Sequence, residues 1–419
     1  MRRYDADAVR THTETGTITA GTVVVQEDGR IAWVGPTADL PLALADLVPT
    51  VVPGTLMPGL VDTHVHLGFD GGPTPVERME AESDAEQVVT MLRSARQLLS
   101  AGVTTARDLG ARGYLDVVVR DAVAAGDARG PRIVASGSPL TPTGGHCWFM
   151  GGEADGGDAL RKLVRTHHQH DVDSIKVMAT GGFMTPGSGP AKSQFSLEEL
   201  ALATADAHRL GKKVVAHAHG TAGIMVALGA GVDALEHCTF VLPDGSFGFD
   251  PDVADAIAAS GVAVSFTLNV MLWRLLSEGS DHPIAAHVPV LVRELRAREV
   301  PIVVGTDAGI DHTPHFAYAG ALEGLHLAGL TVEEVLLAAT VGGATAMGLE
   351  NEIGSLRAGM VADLVGVPGD PSADLTVLRR PTLVLAAGVP FTPDPYPTLS
   401  ELPAPPPLSL DANEEAHAH

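Results

Sequence analysis

From residue 60 to residue 347 the chain alternates short apolar runs with longer amphipathic ones, which limits it to few folds. Strand candidates are Leu60–His66, Val103–Arg107, Arg132–Ala135, Ser174–Met178, Lys213–His217, Ala234–His237, Val262–Phe266 and Ile302–Gly305. Helical stretches lie between and after them at Asp84–Ser100, Leu197–Leu210, Pro251–Ala259, Ala285–Arg298 and Val332–Met347. Ser196 and Thr331 are placed to cap two of these. Eight strands separated by helices predict an α/β fold, a (β/α)8 TIM barrel. A doubly wound open sheet would instead require a Gly-rich phosphate turn after an early strand, and none is visible.

The ends read differently. Residues 17–35 hold two β-rich runs around Asp28-Gly29, a hairpin signal, and Val51-Val52 adds a short β run. After residue 355, β character returns at Ala362–Val367 and Leu383–Gly388. Both ends are expected to form one small β-sandwich: residues 1–57 its first part, 58–354 the barrel, 355–392 its second part. Residues 393–419 are proline-rich and read as a flexible tail.

Composition narrows the partners. At 45% hydrophobic residues and a mean hydropathy of +0.18, the chain can bury a sizeable core. A formal net charge of −24 argues against nucleic acid or an anionic membrane surface. No apolar run approaches the ~20 residues that span a bilayer. Cys147 and Cys238 make no disulfide framework and permit a reducing compartment. The reading is a soluble cytoplasmic protein acting on a small molecule, with homo-oligomerisation open.

Chemistry concentrates at the strand ends, where barrel side chains converge on one mouth. His64 and His66 are two apart on a strand and share a face. Alone, such a pair is as compatible with hydrogen-bonded core histidines as with half a metal site. Lys176 sits between apolar neighbours in a chain with only five lysines. A buried ammonium must be paired or neutralised, so Lys176 is either salt-bridged or a lysine of lowered pKa able to become a carbamate. The fifth strand ends His217-Ala218-His219, the sixth Glu236-His237-Cys238, and the eighth leads to Asp307. Each signal is weak alone. Together they place two histidines, a lysine, two more histidines and an aspartate on one rim, which favours a metal site.

These motifs resemble the amidohydrolase superfamily. They are Pro58–His66, Ile175–Gly182, His217–Gly220, Glu236–Cys238 and Gly305–Gly309, with Gly354–Val365 resembling a return into that family's β-sandwich. The likeness runs from about Gly21 to Gly388 and is greatest to the prolidase-like and imidazolonepropionase-like branch. It implies that His64, His66 and Asp307 hold one divalent metal and His217 and His237 a second, bridged by carboxylated Lys176. Zinc suits these donors, though cobalt, manganese or iron would also fit. The resemblance implies a metal-dependent hydrolase of an amide-type C–N bond, such as an N-acyl amino acid or dipeptide. A hydroxide shared by the metals would attack, and Asp307 would shuttle its proton to the departing amine.

His219 is placed to touch the substrate carbonyl or, equally, to orient a ligand. His146, in Thr141–Trp148, resembles the glycine-histidine loop with which that branch contacts substrate. The bulky Cys147–Met150 after it, and His219-Gly220 where some of those peptidases have a tyrosine, depart from the dipeptidase pattern. Arg274 is either a pocket residue meeting a carboxylate or an ordinary helix arginine. His312 and His315 are candidate contacts, and His167, His168 and His170 are expected to face solvent. Cys147 reads as packing and Cys238 as a neighbour of a ligand, not a nucleophile. A cyclic-amide hydrolase or heterocycle deaminase is the alternative enzyme. A catalytically dead scaffold would show missing ligands, and all six are present.

Overall fold

The computed structural model describes residues 1–402. Four N-terminal strands come first: β1 (Arg2–Arg10), β2 (Thr17–Val25), β3 (Ile31–Pro36) and β4 (Pro49–Pro58). Eight short parallel strands follow: β5 (Leu60–Val65), β6 (Val103–Asp108), β7 (Arg132–Val134), β8 (Ser174–Met178), β9 (Lys213–Gly220), β10 (Ala234–Val241), β11 (Ala263–Ser265) and β12 (Ile302–Val303). Three strands close the order: β13 (Leu364–Val367), β14 (Leu383–Ala386) and β15 (Val389–Phe391).

The parallel strands are covered on both faces. Every residue of β5, β6, β8 and β10 is buried. Helices Asp84–Ser100 and Leu197–Arg209 begin with reciprocal Ser–Glu caps, Ser83 with Glu86 and Ser196 with Glu199, which satisfy otherwise unpaired amides.

The expectation of a closed barrel is corrected. The ladders form a three-stranded sheet, β5-β6-β7, and a five-stranded sheet, β8-β9-β10-β11-β12. Single bridges, Val65 to Ala308 and Leu140 to Val177, stitch one to the other. The Asp307 amide also donates to the His64 carbonyl at 2.8 Å. The ladders stop there because β7 has three residues and β12 two before the backbone turns into loops.

The expected sandwich also differs. Both chain ends enter one seven-stranded sheet, ordered β15-β14-β13-β4-β1-β2-β3. It curls on itself, for Arg30 beside β3 bridges to Val361 beside β13. Tyr4, Val9, Val23, Ile31, Met360 and Leu385 share the core so formed.

Two further expectations change. The helix expected over Val332–Met347 is Val332–Leu337, a wider π turn at Ala338–Gly342, and then Gly343–Met347. Thr340 in that turn donates to the Leu336 carbonyl and meets Nδ1 of His12, a residue from the far end of the chain. The segment from residue 393 is docked as far as residue 402. Tyr396 stacks on Phe316 at 4.8 Å, Asp394 pairs with Arg96, and Leu399 packs with Val270 and Ala317. The tail reading for residues 403–419 lies outside the described residues. Among the described residues no helix is long and apolar enough to cross a membrane.

Candidate metal centre

Six of the histidine, lysine and aspartate side chains read from the strand ends meet at the carboxyl ends of the parallel strands, and His219 joins them. β5 carries His64, with His66 one residue past its end; β8 carries Lys176, β9 His217 and His219, β10 His237, and Asp307 follows β12. The histidines and the aspartate form two groups, within each of which the donor atoms lie within 4.8 Å of one another: His64, His66 and Asp307, and His217, His219 and His237. In the first, Nε2 of His64 and of His66 approach Asp307 Oδ1 at 3.3 and 3.2 Å. The groups are neighbours, with the His64 and His237 ring centroids 5.2 Å apart.

Other contacts fix which nitrogen each ring presents. Nδ1 of His64 lies 2.9 Å from Glu236 Oε2, leaving Nε2 toward Asp307. Nδ1 of His237 meets the Thr267 hydroxyl, and Nδ1 of His219 meets that of Thr239, each at 2.8 Å. His217 Nε2 donates to the Gly181 carbonyl at 3.1 Å. Burial pushes His64, His217 and His237 well below the usual imidazole range, so these rings are neutral and carry lone pairs. Burial opposes ionisation of Asp307, but the His66 hydrogen bond and the Lys176 charge hold the carboxyl below its ordinary value.

Lys176 is fully buried and its Nζ has no hydrogen-bond partner. Burial lowers it to about 8, against the opposing pull of Glu236 and Asp307. Its charge acts on His64 in one group and on His217 and His237 in the other. Neutral imidazoles, an ionised carboxylate and an orphaned buried amine whose charge acts on both groups fit a divalent-metal centre. The backbone is strained here: His237 and Asp307 take φ of 71° and 57°, left-handed values that non-glycine residues seldom adopt.

His146 lies beside the second group, its ring centroid 4.6 Å from that of His217. A Cβ on Gly182 would sit 2.4 Å from His146 Nε2, so glycine at 182 makes room for the ring. Phe69, Met79, Cys147, Met150 and Met178, joined by Phe149 and Met184, form an apolar cluster next to His66, whose ring is 5.5 Å from Phe69.

Other expected residues are placed elsewhere. Arg274 donates to the Leu402 carbonyl at 2.8 Å and anchors the C-terminal segment, because its helix faces that strand of chain. His315 is buried and meets the His66 carbonyl through Nε2 at 3.2 Å, so it supports a candidate ligand's backbone. His312 is half-buried, with its amide bound to the Gly72 carbonyl. His167 is buried rather than solvent-facing, since Leu160, Val164 and His167 share the inner face of their helix, while His168 and His170 are exposed. Burial pushes the Cys147 thiol up to about 12 and raises Cys238 as well, so neither is a ready nucleophile.

Reading the sequence alone missed Asp62, Arg107, Glu236, Thr239 and Thr267 as parts of the site. Arg107 and Glu236 carried the signal that singled out Lys176, a charge inside an apolar strand.

The sequence profile of the Amidohydrolase family matches residues 55–390. Ochratoxinase from Aspergillus niger is 30% identical over 399 residues, covering 86% of this chain and 80% of its own. Imidazolonepropionase from Paracoccus denitrificans is 27% identical, with 83% of this chain and 88% of its own covered. The crystal structure of a Xaa-Pro dipeptidase with bound methionine superposes with a TM-score of 0.80 at 25% identity, over 93% of this chain and 99% of that one. The chain belongs to the Amidohydrolase family and is a hydrolase acting on carbon–nitrogen bonds.

Proposed function

We propose that the protein is a metal-dependent hydrolase of small amides, with N-acyl amino acids or dipeptides as its substrate class. The observation that carries this is the pair of donor groups with the orphaned, buried Lys176 acting electrostatically on both. His64, His66 and Asp307 would hold one divalent ion and His217 and His237 a second, with Lys176, as its carbamate, shared between them. His219, grouped with the latter two, is available as a further donor or as a contact for the carbonyl oxygen. Zinc is the favoured metal for these ligands. Such ions, when bound, lower the pKa of water towards ~7 and polarise the scissile carbonyl.

The chain's own residues do the rest. Asp307, held ionised, accepts a proton from the attacking water and returns it to the departing amine. His219, with Nδ1 on Thr239, offers Nε2 to the carbonyl oxygen. His146 binds the substrate from the adjacent loop, and the methionine- and phenylalanine-rich cluster beside His66 suits a bulky apolar substituent. Names of relatives support the class: a Xaa-Pro dipeptidase and an ochratoxinase share the fold. The partner is a small molecule, and free, buried Cys147 and Cys238 suit a reducing cytoplasm.

Chelation should abolish turnover of a panel of N-acyl amino acids and dipeptides, and zinc, cobalt or manganese should restore it. Turnover indifferent to chelation would overturn the proposal. Likeness to imidazolonepropionase favours a second reading, opening of a cyclic amide. Turnover of a heterocycle with no acyl amino acid cleaved would select it.

A further inference from the structure

The parallel strands bury a charged chain that the proposed reaction does not use. Arg107 on β6 and Glu236 on β10 are both buried, and Nη2 of Arg107 donates to Oε1 of Glu236 at 3.0 Å. The other oxygen of Glu236 faces Nδ1 of His64 at 2.9 Å. Nε of Arg107 donates to the Thr63 carbonyl, one residue before His64, at 2.8 Å. Arg107 thus grips His64 twice, through the backbone beside it and through the carboxylate on its ring. The three strands concerned lie in two different sheets.

Such a pair is expensive. Moving two charges out of water costs several kcal/mol each, and an apolar pair of similar volume is often as stable or more so. Its presence therefore needs a reason other than stability. A carboxylate held by an arginine accepts and does not donate, so it requires hydrogen on Nδ1 of His64 and leaves the Nε2 lone pair for a metal.

We infer that Arg107 and Glu236 are positioning residues that fix the orientation and Nδ1–H tautomer of His64, presetting the first metal group. Only the metal-affinity arm rests on the proposed function; the tautomer arm needs no metal.

The test uses Arg107→Met/Glu236→Leu, which removes both charges together, and Glu236→Gln, which keeps shape should the double variant fail to fold. In the metal-free full chain, nitrogen-15 shifts of selectively labelled histidines should show His64 as the Nδ1–H tautomer. In either folded variant they should show a mixture or the other tautomer. Zinc titration followed by calorimetry should give affinity about 10- to 100-fold weaker for one ion and unchanged for the other. kcat should fall while KM holds, and Arg107→Lys, which keeps the charge without the two-pronged fork, should recover only part. A variant whose His64 tautomer and zinc affinity match the wild type would overturn the inference. A wild type with the Nδ1–H tautomer that binds no zinc would instead sink the proposed function and leave the clamp standing.

Discussion

The Asp62 carboxylate accepts the Thr306 hydroxyl at 2.6 Å and the Thr306 amide at 3.1 Å, while the His64 amide donates to the same group at 3.1 Å. One side chain therefore locks the strand bearing His64 to the segment bearing Asp307. Asp62→Ala would leave two buried donors unpaired, the His64 amide and the Thr306 hydroxyl, costing about 2–4 kcal/mol, while the Thr306 amide keeps the His64 carbonyl at 3.2 Å. Thr306→Val removes two bonds, one to Asp62 and one from the Ala308 amide, and should cost about 2 kcal/mol. Denaturant unfolding of both variants checks the ratio, and the alanine variant should also lose metal at lower chelator concentration.

Lys176 is a liability to the metal-free fold. Its ammonium is buried without a partner, and a depression from 10.5 to about 8 corresponds to about 3 kcal/mol at pH 7. Lys176→Met should therefore stabilise the metal-free protein by up to that amount while abolishing turnover. Equal stability of the two metal-free proteins at pH 7 would show that the lysine is already compensated.

What the sequence made legible was whatever broke a pattern. His64-Val65-His66 and Lys176 stood out because buried parallel strands are otherwise apolar, and the rule that barrel strands converge brought distant residues to one rim. Glu236 broke the same pattern but was overlooked beside a histidine with an obvious role. Closure of the barrel was not legible, because it depends on where β7 and β12 stop, which no local propensity sets. The π turn at Ala338–Gly342 carries Thr340, which meets His12, 328 positions away, so no local pattern announces it. β1 escaped notice because Tyr4, Ala6 and Val9 are its only apolar core positions, and it exists chiefly by lying between β2 and β4.

Gly182 tests the role of His146. Any side chain there collides with the imidazole, so Gly182→Ala must displace the ring. If His146 binds substrate, KM rises several-fold with a smaller change in kcat, and His146→Ala reproduces the effect. Unchanged KM in both variants would remove His146 from the substrate site.

Asp363, far along the chain from the centre, sets a pH dependence. Burial raises its carboxyl to about 6 against the nearby Arg132, while Ala387 donates its amide to Oδ1. The folded state thus holds a proton that the unfolded chain, at about 3.8, releases first. Stability from this group falls as pH rises from about 4 to about 6 and is level above that. Asp363→Asn keeps the amide acceptor and removes the titration. Relative to that variant, the wild type should lose about 2 kcal/mol between pH 4 and pH 7, measured by urea unfolding. Parallel pH curves for the two proteins would contradict the assignment.

The docked segment 393–402 touches two supports of the centre. Tyr396 stacks on Phe316, the neighbour of His315, which holds the His66 carbonyl. Leu399 packs on Val270, which opens a helix three residues after Thr267, the partner of His237. Burying Leu399 contributes about 2 kcal/mol and the aromatic stack about 1 kcal/mol. The Arg96–Asp394 pair is part-exposed and adds little. Truncation after residue 392 should therefore cost about 2–4 kcal/mol more than truncation after residue 402. It should also release zinc faster, because both supports gain freedom together. Unfolding free energies and zinc-release rates of the two truncations provide the comparison, and identical values would show that the segment only covers the surface.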